Sequence, residues 1–399
     1  MRLSNRANAI HGSVTVELNA RVLALKKGGV NIIKFNIGEP DFNTPANICD
    51  AGKHAMDEGK THYTAVPGMV ELREQISRKL LEDNNLSYST NEICVTTGAK
   101  QALFETMMAL VQEGDEVIIP TPCWVSYESM VKIAGAEPVL VPTKQEGEDR
   151  FNLDIPAIEA AVTSNTRAII ICTPNNPTGV VYSESVLLEL LDLAIRHELI
   201  IVADEIYEKL IYNGQKHFSI ASVSEKAKAH VVTVNGFSKS YAMTGWRLGY
   251  LAGPKELVNA VQRLQGHITS ATCSISQVAG IEALAGPQAS VEKMKEAFNT
   301  NRLAMYRLCN EIPHLTCREP DGAFYLMPDV SWYYGKSADG VTIHNSVDLA
   351  NYLLDKAHVA VVPGDGFRSP ECIRLSYSNS LENIERGMEQ MKQAFMQLK

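Results

Sequence analysis

Lys239 is flanked by Phe237-Ser238 and Ser240-Tyr241, just past the apolar run Val231–Val234. An ammonium at such a strand mouth is partly desolvated, which lowers its pKa and makes it a candidate imine former. A lysine after a strand is as easily a solvated loop residue, so its company decides. Asp204 ends the run from Leu199 to Ala203. A carboxylate there can hold a cationic heterocycle, and a pyridinium nitrogen suits an imine-forming lysine. The same aspartate could instead cap the next segment, which Asp204-Glu205 opens. Arg247, in Thr244-Gly245-Trp246-Arg247-Leu248-Gly249, has the fork geometry that fits a phosphate. Gly98-Ala99-Lys100 opens a helix, where free N–H groups and the helix dipole favour an anion. Together these features offer a partner for an aldehyde, a partner for a ring nitrogen and a two-sided phosphate seat.

Such residues need a scaffold that brings them together. Candidate strands are Glu92–Thr96, Glu116–Ile119, Pro138–Val141, Ala168–Cys172, Ile200–Ala203, Val231–Val234 and Leu248–Ala252. Candidate helices are Val14–Lys27, Val70–Asn84, Lys100–Gln112, Ser183–His197 and Val291–Glu311. Strands separated by helical stretches predict an α/β fold with a mostly parallel seven-stranded sheet covered on both faces. Ligands of such sheets sit beyond the carboxyl ends of the strands. Thr97-Gly98-Ala99, the run Thr173–Gly179, Asp204-Glu205 and the run Asn235–Lys239 each follow a strand, so one cleft would collect all four. The C-terminal third reads as a smaller α+β domain, joined by an N-terminal arm whose Asn36–Asp41 stretch is too polar and turn-rich for core. The expected division is 1–45 for the arm and part of the small domain, 46–290 for the large domain and 291–399 for the small one.

Composition narrows the class. The chain has 399 residues, 45% hydrophobic and 21% charged, which is ordinary for a globular protein of two domains. No run approaches a membrane span. A formal net charge of -9 repels phosphate backbones, so nucleic acid is an unfavourable partner. The eight cysteines form no C-x-x-C pair and several lie in apolar runs, which reads as buried free thiols in a reducing compartment. The ten histidines show no metal-binding spacing. The first sixteen residues carry Arg2 and Arg6 and no acid, but no apolar core for a secretory signal, so an ordinary arm and a cytoplasmic protein are expected.

Three segments carry a family resemblance: Asn175-Asn176-Pro177-Thr178-Gly179, Asp204-Glu205-Ile206-Tyr207 and Ser238-Lys239-Ser240-Tyr241-Ala242-Met243-Thr244-Gly245-Trp246-Arg247-Leu248-Gly249. They resemble the class I aminotransferases of fold type I, the pyridoxal-phosphate family typified by aspartate aminotransferase, and the match runs from the arm to Arg374. The resemblance implies that Lys239 is the covalent lysine and moves the proton between the substrate Cα and the cofactor. It implies that Asp204 pairs the pyridinium nitrogen, that Tyr207 and Asn176 donate to the phenolic oxygen, and that Trp124 stacks on the ring. Arg247 and the N–H groups of Ala99 and Lys100, after Gly98, would seat the phosphate. Tyr63 would reach the phosphate of a neighbouring subunit in a homodimer. Many relatives have a serine three residues before the lysine, where this chain has Gly236; Ser238 is the substitute hydroxyl.

On the substrate side, the resemblance makes Arg374 the bidentate clamp for the α-carboxylate, with the Gly38 N–H as a second contact. Ser13 and Lys100 resemble a pair that binds the distal carboxylate in one subgroup of aspartate aminotransferases. Ser13 could equally cap the helix at Val14, and Lys100 could be a surface lysine. The expected substrates are L-aspartate and 2-oxoglutarate, with aromatic amino acids or prephenate as the alternative. A lyase on the same fold would need the same Lys239, Asp204 and Arg247. A cofactor-sensing regulator would need an attached DNA-binding domain, for which the sequence leaves no room. A nicotinamide enzyme would need a G-x-G-x-x-G after a strand, and there is none.

Overall fold

A computed structural model describes residues 2–8, 14–145, 147 and 150–399, leaving aside the side chains of residues 5, 6 and 14–19. Its centre is a seven-stranded sheet of β1 (Ile93–Thr96), β2 (Glu116–Thr121), β3 (Glu137–Pro142), β4 (Thr166–Cys172), β5 (Ile200–Asp204), β6 (Val231–Gly236) and β7 (Gly249–Ala252). The spatial order is β1-β7-β6-β5-β4-β2-β3. Strands β2 to β6 pair in parallel, while β7 runs antiparallel to both its neighbours, β6 and β1. Strands β1, β2, β4, β5 and β6 are short and carry Val and Ile because both their faces are buried, while β7 is Gly-Tyr-Leu-Ala. In β4, Ala168, Ile170 and Cys172 enter one core while Ile169 and Ile171 enter the other.

Two helices keep their expected bounds, Val14–Lys27 and Val70–Asn84. The helix expected at Lys100–Gln112 spans Ala99–Leu110, because Gly98 at φ 82° ends the preceding turn and Val111 is already extended at φ -128°. The helix expected at Ser183–His197 spans Glu184–Arg196, with Ser183 as its cap accepting from the Val186 N–H at 3.4 Å. The one expected at Val291–Glu311 spans Ala289–Asn310.

The C-terminal part holds a three-stranded antiparallel sheet of Val362–Pro363, Ile373–Ser376 and Tyr325–Leu326, flanked by the helices Ser346–Lys356 and Leu381–Gln397. The N-terminal arm enters it. Ile33–Lys34 pairs in parallel with Val359–Ala360, the Phe35 N–H donates to the Ala360 carbonyl, and the Ser376 N–H donates to the Phe35 carbonyl, both at 2.8 Å. Asn36 is buried there, its carbonyl accepting from the Arg374 guanidinium, while Ile37, Gly38, Glu39 and Asp41 are half-buried or exposed, as expected of a polar, turn-rich stretch. All eight cysteines are free, but Cys273 is exposed and Cys49 and Cys317 are half-buried, so only five fit the expectation of buried thiols. Cys273 lies outside because it sits before the first turn of the helix Ser274–Ala285, whose buried residues begin at Ser276. Among the described residues no helix is long and apolar enough to cross a membrane.

Candidate active site

A cavity of about 850 Å³ opens at the carboxyl ends of β4, β5 and β6 and is closed on its far side by the arm and the C-terminal sheet. Ala99, Lys100, Trp124, Asn176, Asp204, Tyr207, Ser238, Lys239, Arg247, Gly38 and Arg374 all line it. One cleft past the strand ends was expected, and the fold brings these residues to one chamber, with Gly38, Trp124 and Arg374 added from other elements. Five cationic side chains, Lys34, Lys100, Lys239, Arg247 and Arg374, face only two carboxylates, Glu39 and Asp204, so the lining selects for anions.

Lys239 follows β6, and its Nζ donates to the Gly38 carbonyl. Burial lowers its pKa to about 8; Glu39 opposes the shift, and Arg374 and Arg247 add to it. A useful fraction of free amine therefore exists near neutral pH. Asp204 is the last residue of β5, buried, with Oδ2 accepting from the Tyr127 hydroxyl at 2.7 Å and Oδ1 from the Ile206 N–H at 3.2 Å. It caps a turn and not a helix, since no helix follows it. Burial pushes its pKa up to about 6 despite those two donors. A carboxylate held that high gains most from a cationic partner.

At the opposite end, Gly98 and Arg247 touch. Gly98 has φ +82°, and a Cβ there would lie 2.4 Å from Arg247 Nη2. Beneath them β7 begins at Gly249, where a Cβ would lie 2.3 Å from the Ala99 nitrogen. Only glycine fits either place, and the two allow the first turn of the Ala99–Leu110 helix to sit against the arginine. The N–H groups of Ala99 and Lys100 have no carbonyl within that helix to donate to. The Lys100 ammonium stands 4.7 Å over the Trp124 ring, its pKa lowered by burial and then by Arg247.

Arg374, on the Ile373–Ser376 strand, is buried between the rings of Tyr325 and Phe367, at 4.3 and 4.9 Å. Its Nη1 donates to Asn176 Oδ1 at 3.0 Å and its Nη2 to the Asn36 carbonyl at 3.3 Å, while its Nε has no partner. No carboxylate pairs it among the described residues, although a buried guanidinium ordinarily has one. The Tyr207 and Tyr325 hydroxyls share a hydrogen bond of 2.9 Å.

One expected residue is not at this chamber, and a second is not among those described. Tyr63 is 95% exposed and does not line it. Ser13 lies outside the described residues. Sequence reasoning missed Tyr127, Tyr325 and Cys172. The signal for Cys172 was present: it ends β4 in register with Asp204 at the end of β5.

The donor set fits pyridoxal phosphate. The orphaned cradle at Gly98 and Arg247 suits its phosphate, the raised Asp204 suits a protonated ring nitrogen, and Lys239 lies between them. Trp124 offers a flat face. Comparison with known proteins points the same way. The family model described as Aminotransferase class I and II matches residues 30–391. The chain is 43% identical to an aspartate aminotransferase of Bacillus sp. (strain YM-2), covering 98% of each. It is 44% identical to a bifunctional aspartate aminotransferase and glutamate/aspartate-prephenate aminotransferase of Petunia hybrida, covering 100% of this chain and 83% of that one. The crystal structure of the aspartate aminotransferase from Rhizobium meliloti superposes with a TM-score of 0.96 at 39% identity, covering 100% of both chains. That from Thermus thermophilus with maleate gives 0.92 at 40% identity, over 99% of this chain and 100% of the other.

Proposed function

We propose, for a chain that belongs to the class I and II aminotransferase family, that it moves an amino group between L-aspartate and 2-oxoglutarate. The observation that carries the reading is Arg374: a buried guanidinium with no carboxylate partner among the described residues, lining the same chamber as a lysine of lowered pKa. The family depends on pyridoxal phosphate, which when bound supplies an aldehyde for amines and a ring that draws electrons from the substrate Cα.

In this reading the chain's own groups do the following. Arg374 and the Gly38 N–H hold the α-carboxylate, with Asn176 orienting the guanidinium. That fixes the Cα–H bond toward Lys239, whose free amine takes the proton and returns it. Asp204, itself steadied by Tyr127, keeps a proton on the ring nitrogen, and Tyr207 and Asn176 donate to the phenolic oxygen. Trp124 stacks on the ring; Arg247, Ser238 and the N–H groups of Ala99 and Lys100 seat the phosphate. Lys100, together with Ser13, takes the distal carboxylate, in keeping with the cationic excess of the lining.

The test is the absorption of the purified holoenzyme with L-aspartate added and no oxo acid. Conversion of the aldehyde-form band to the amine-form band supports the reading; an unchanged band removes aspartate as donor. A second reading, prephenate as amino acceptor, is favoured by the Petunia relative and by the Aquifex aeolicus relative named as a probable aspartate/prephenate aminotransferase. Regeneration of the aldehyde form by prephenate after aspartate decides it.

We further propose a cytoplasmic homodimer with the division 1–45, 46–290 and 291–399. The free thiols support the compartment. The solvent-facing Tyr63 supports the dimer, because an exposed tyrosine of this size suits a contact with the partner's phosphate. Tyr63→Phe should weaken cofactor retention while the sedimentation of the dimer stays unchanged; a monomer in sedimentation removes the proposal.

A further inference from the structure

The segment Asp204–Glu208 presents Asp204, Ile206 and Tyr207 to the chamber, while Glu205 and Glu208 turn the other way and are buried. Behind the site their carboxylates meet a closed set of partners. Glu208 accepts from Lys79 Nζ and, at 2.7 Å, from Asn84 Nδ2. Glu205 accepts from Ser219 Oγ at 2.7 Å and lies 2.8 Å from His217 Nε2, a charge contact outside hydrogen-bond geometry, and His217 Nδ1 is buried without a partner among the described residues. Asn84 closes the set by donating to Ser219 Oγ at 2.8 Å and accepting from Lys79 at 2.7 Å.

Glu205, Glu208 and His217 come within 4.8 Å of one another, close enough to suggest a metal, but the Lys79 ammonium already supplies the cation there. Two buried carboxylates and one ammonium leave a charge of minus one, which a protonated His217 cancels. The groups around it do not change that count. Asp83, 3.9 Å from Lys79, is paired to Lys209 at 2.7 Å, and Tyr88, Tyr241 and Tyr250 face the carboxylates as neutral phenols.

The start of the segment is bonded into the sheet, the Glu205 N–H donating to the Val234 carbonyl at 2.8 Å and the Thr173 N–H to the Asp204 carbonyl at 3.1 Å. Past Glu205 its backbone makes turn bonds, from the Glu208 N–H to the Glu205 carbonyl at 2.9 Å and from the Leu210 N–H to the Tyr207 carbonyl at 2.8 Å. Apolar side chains could anchor it as firmly but would leave it free to slide; paired charges with directional donors fix one register.

We propose that Lys79 and His217, by neutralising Glu208 and Glu205, are positioning residues that hold Asp204 and Tyr207 in place for the cofactor ring. The proposal rests on the cofactor reading above. In support, burial alone would push His217 below its ordinary pKa, yet Glu205 and Glu208 outweigh it and hold the imidazole above that value.

The experiment compares holoenzymes of wild type, His217→Gln, Glu205→Gln and the double variant. Each is scored by the rate of cofactor release, by the pH at which the bound cofactor's band changes, and by kcat and KM for aspartate. Each single variant should release cofactor about tenfold faster or more and lose kcat with KM nearly unchanged, as misplaced groups do. The double variant, having lost one charge of each sign, should recover most of both losses. Singles that match wild type, or a double variant whose losses are the product of the singles, would overturn the proposal. Should the variants not fold, nitrogen NMR of wild-type holoenzyme labelled at histidine decides: the His217 ring should be charged at neutral pH, and a neutral ring overturns the proposal. A wild-type protein without a cofactor band counts against the cofactor reading instead, and the NMR result still judges the charge set.

Discussion

Arg374 and Lys239 carry like charges in one chamber, and each alters what the other can do. The guanidinium helps depress the lysine, so a carboxylate seated on Arg374 should raise the lysine pKa again and ready it to take up a proton. Recombination of the apoprotein with pyridoxal phosphate should therefore rise with pH through a midpoint of about 8, since the free amine is the reacting form above its pKa. Adding a dicarboxylate such as maleate should move that midpoint upward; a midpoint at the ordinary lysine value would remove the desolvation argument. Arg374→Ala should raise KM for aspartate by the equivalent of roughly 2–5 kcal/mol, and Arg374→Lys should not restore it, because a point charge lacks the fork. Lys239→Ala should abolish turnover in a protein that still folds. Lys239 and Asp204 were legible because charged residues at the ends of apolar runs stand out, whereas Arg374, inside the strand Ile373–Ser376, was legible only through the family resemblance. Tyr325 was not: it sits inside Ala323–Leu326, which reads as plain core, and only the fold reveals that its hydroxyl meets Tyr207.

At the scale of elements, the proposed seat for the phosphate is a contact between β7 and the start of the Ala99–Leu110 helix. Gly249→Ala would force a Cβ to within 2.3 Å of the Ala99 nitrogen. Overpacking of this kind costs about 1–3 kcal/mol, so a lower denaturation midpoint is expected, with weaker stabilisation by added inorganic phosphate. The helix Val70–Asn84 reaches the back of the site through Lys79. Burial would raise the Glu208 pKa, but Lys79, His217 and Asn84 outweigh it and hold it at about 2. The stability this group contributes is fully present above the ordinary carboxylate range and is lost as pH falls from there through about 2. Acid unfolding of Lys79→Met should accordingly begin at higher pH than in wild type, followed by circular dichroism. The seven strands were legible as apolar runs between turns. The reversed direction of β7 was not, because a short apolar run carries no direction. The helix Ser274–Ala285 was also missed: wedged between Ala46–Asp57 and Val70–Asn84, it is apolar on more than one face and shows no amphipathic stripe.

For the whole molecule, the arm is the element that ties the two ends of the chain to the chamber. Gly38 accepts from Lys239, and Asn36 accepts from Arg374 across a separation of 338 positions. Replacing Phe35, buried where the arm crosses the C-terminal sheet, by alanine should cost about 3–5 kcal/mol and loosen substrate more than cofactor, which comparison of KM with cofactor release would separate. The small α+β part was legible only in outline, since its strands are two to four residues long and gain their order from partners far off in sequence. That same distance sets an order of events in synthesis. The strand Ile33–Lys34 leaves the ribosome well before its partner Val359–Ala360. Until that pairing forms the chamber lacks its arm-side wall, so a nascent chain can complete its central sheet well before the chamber is closed.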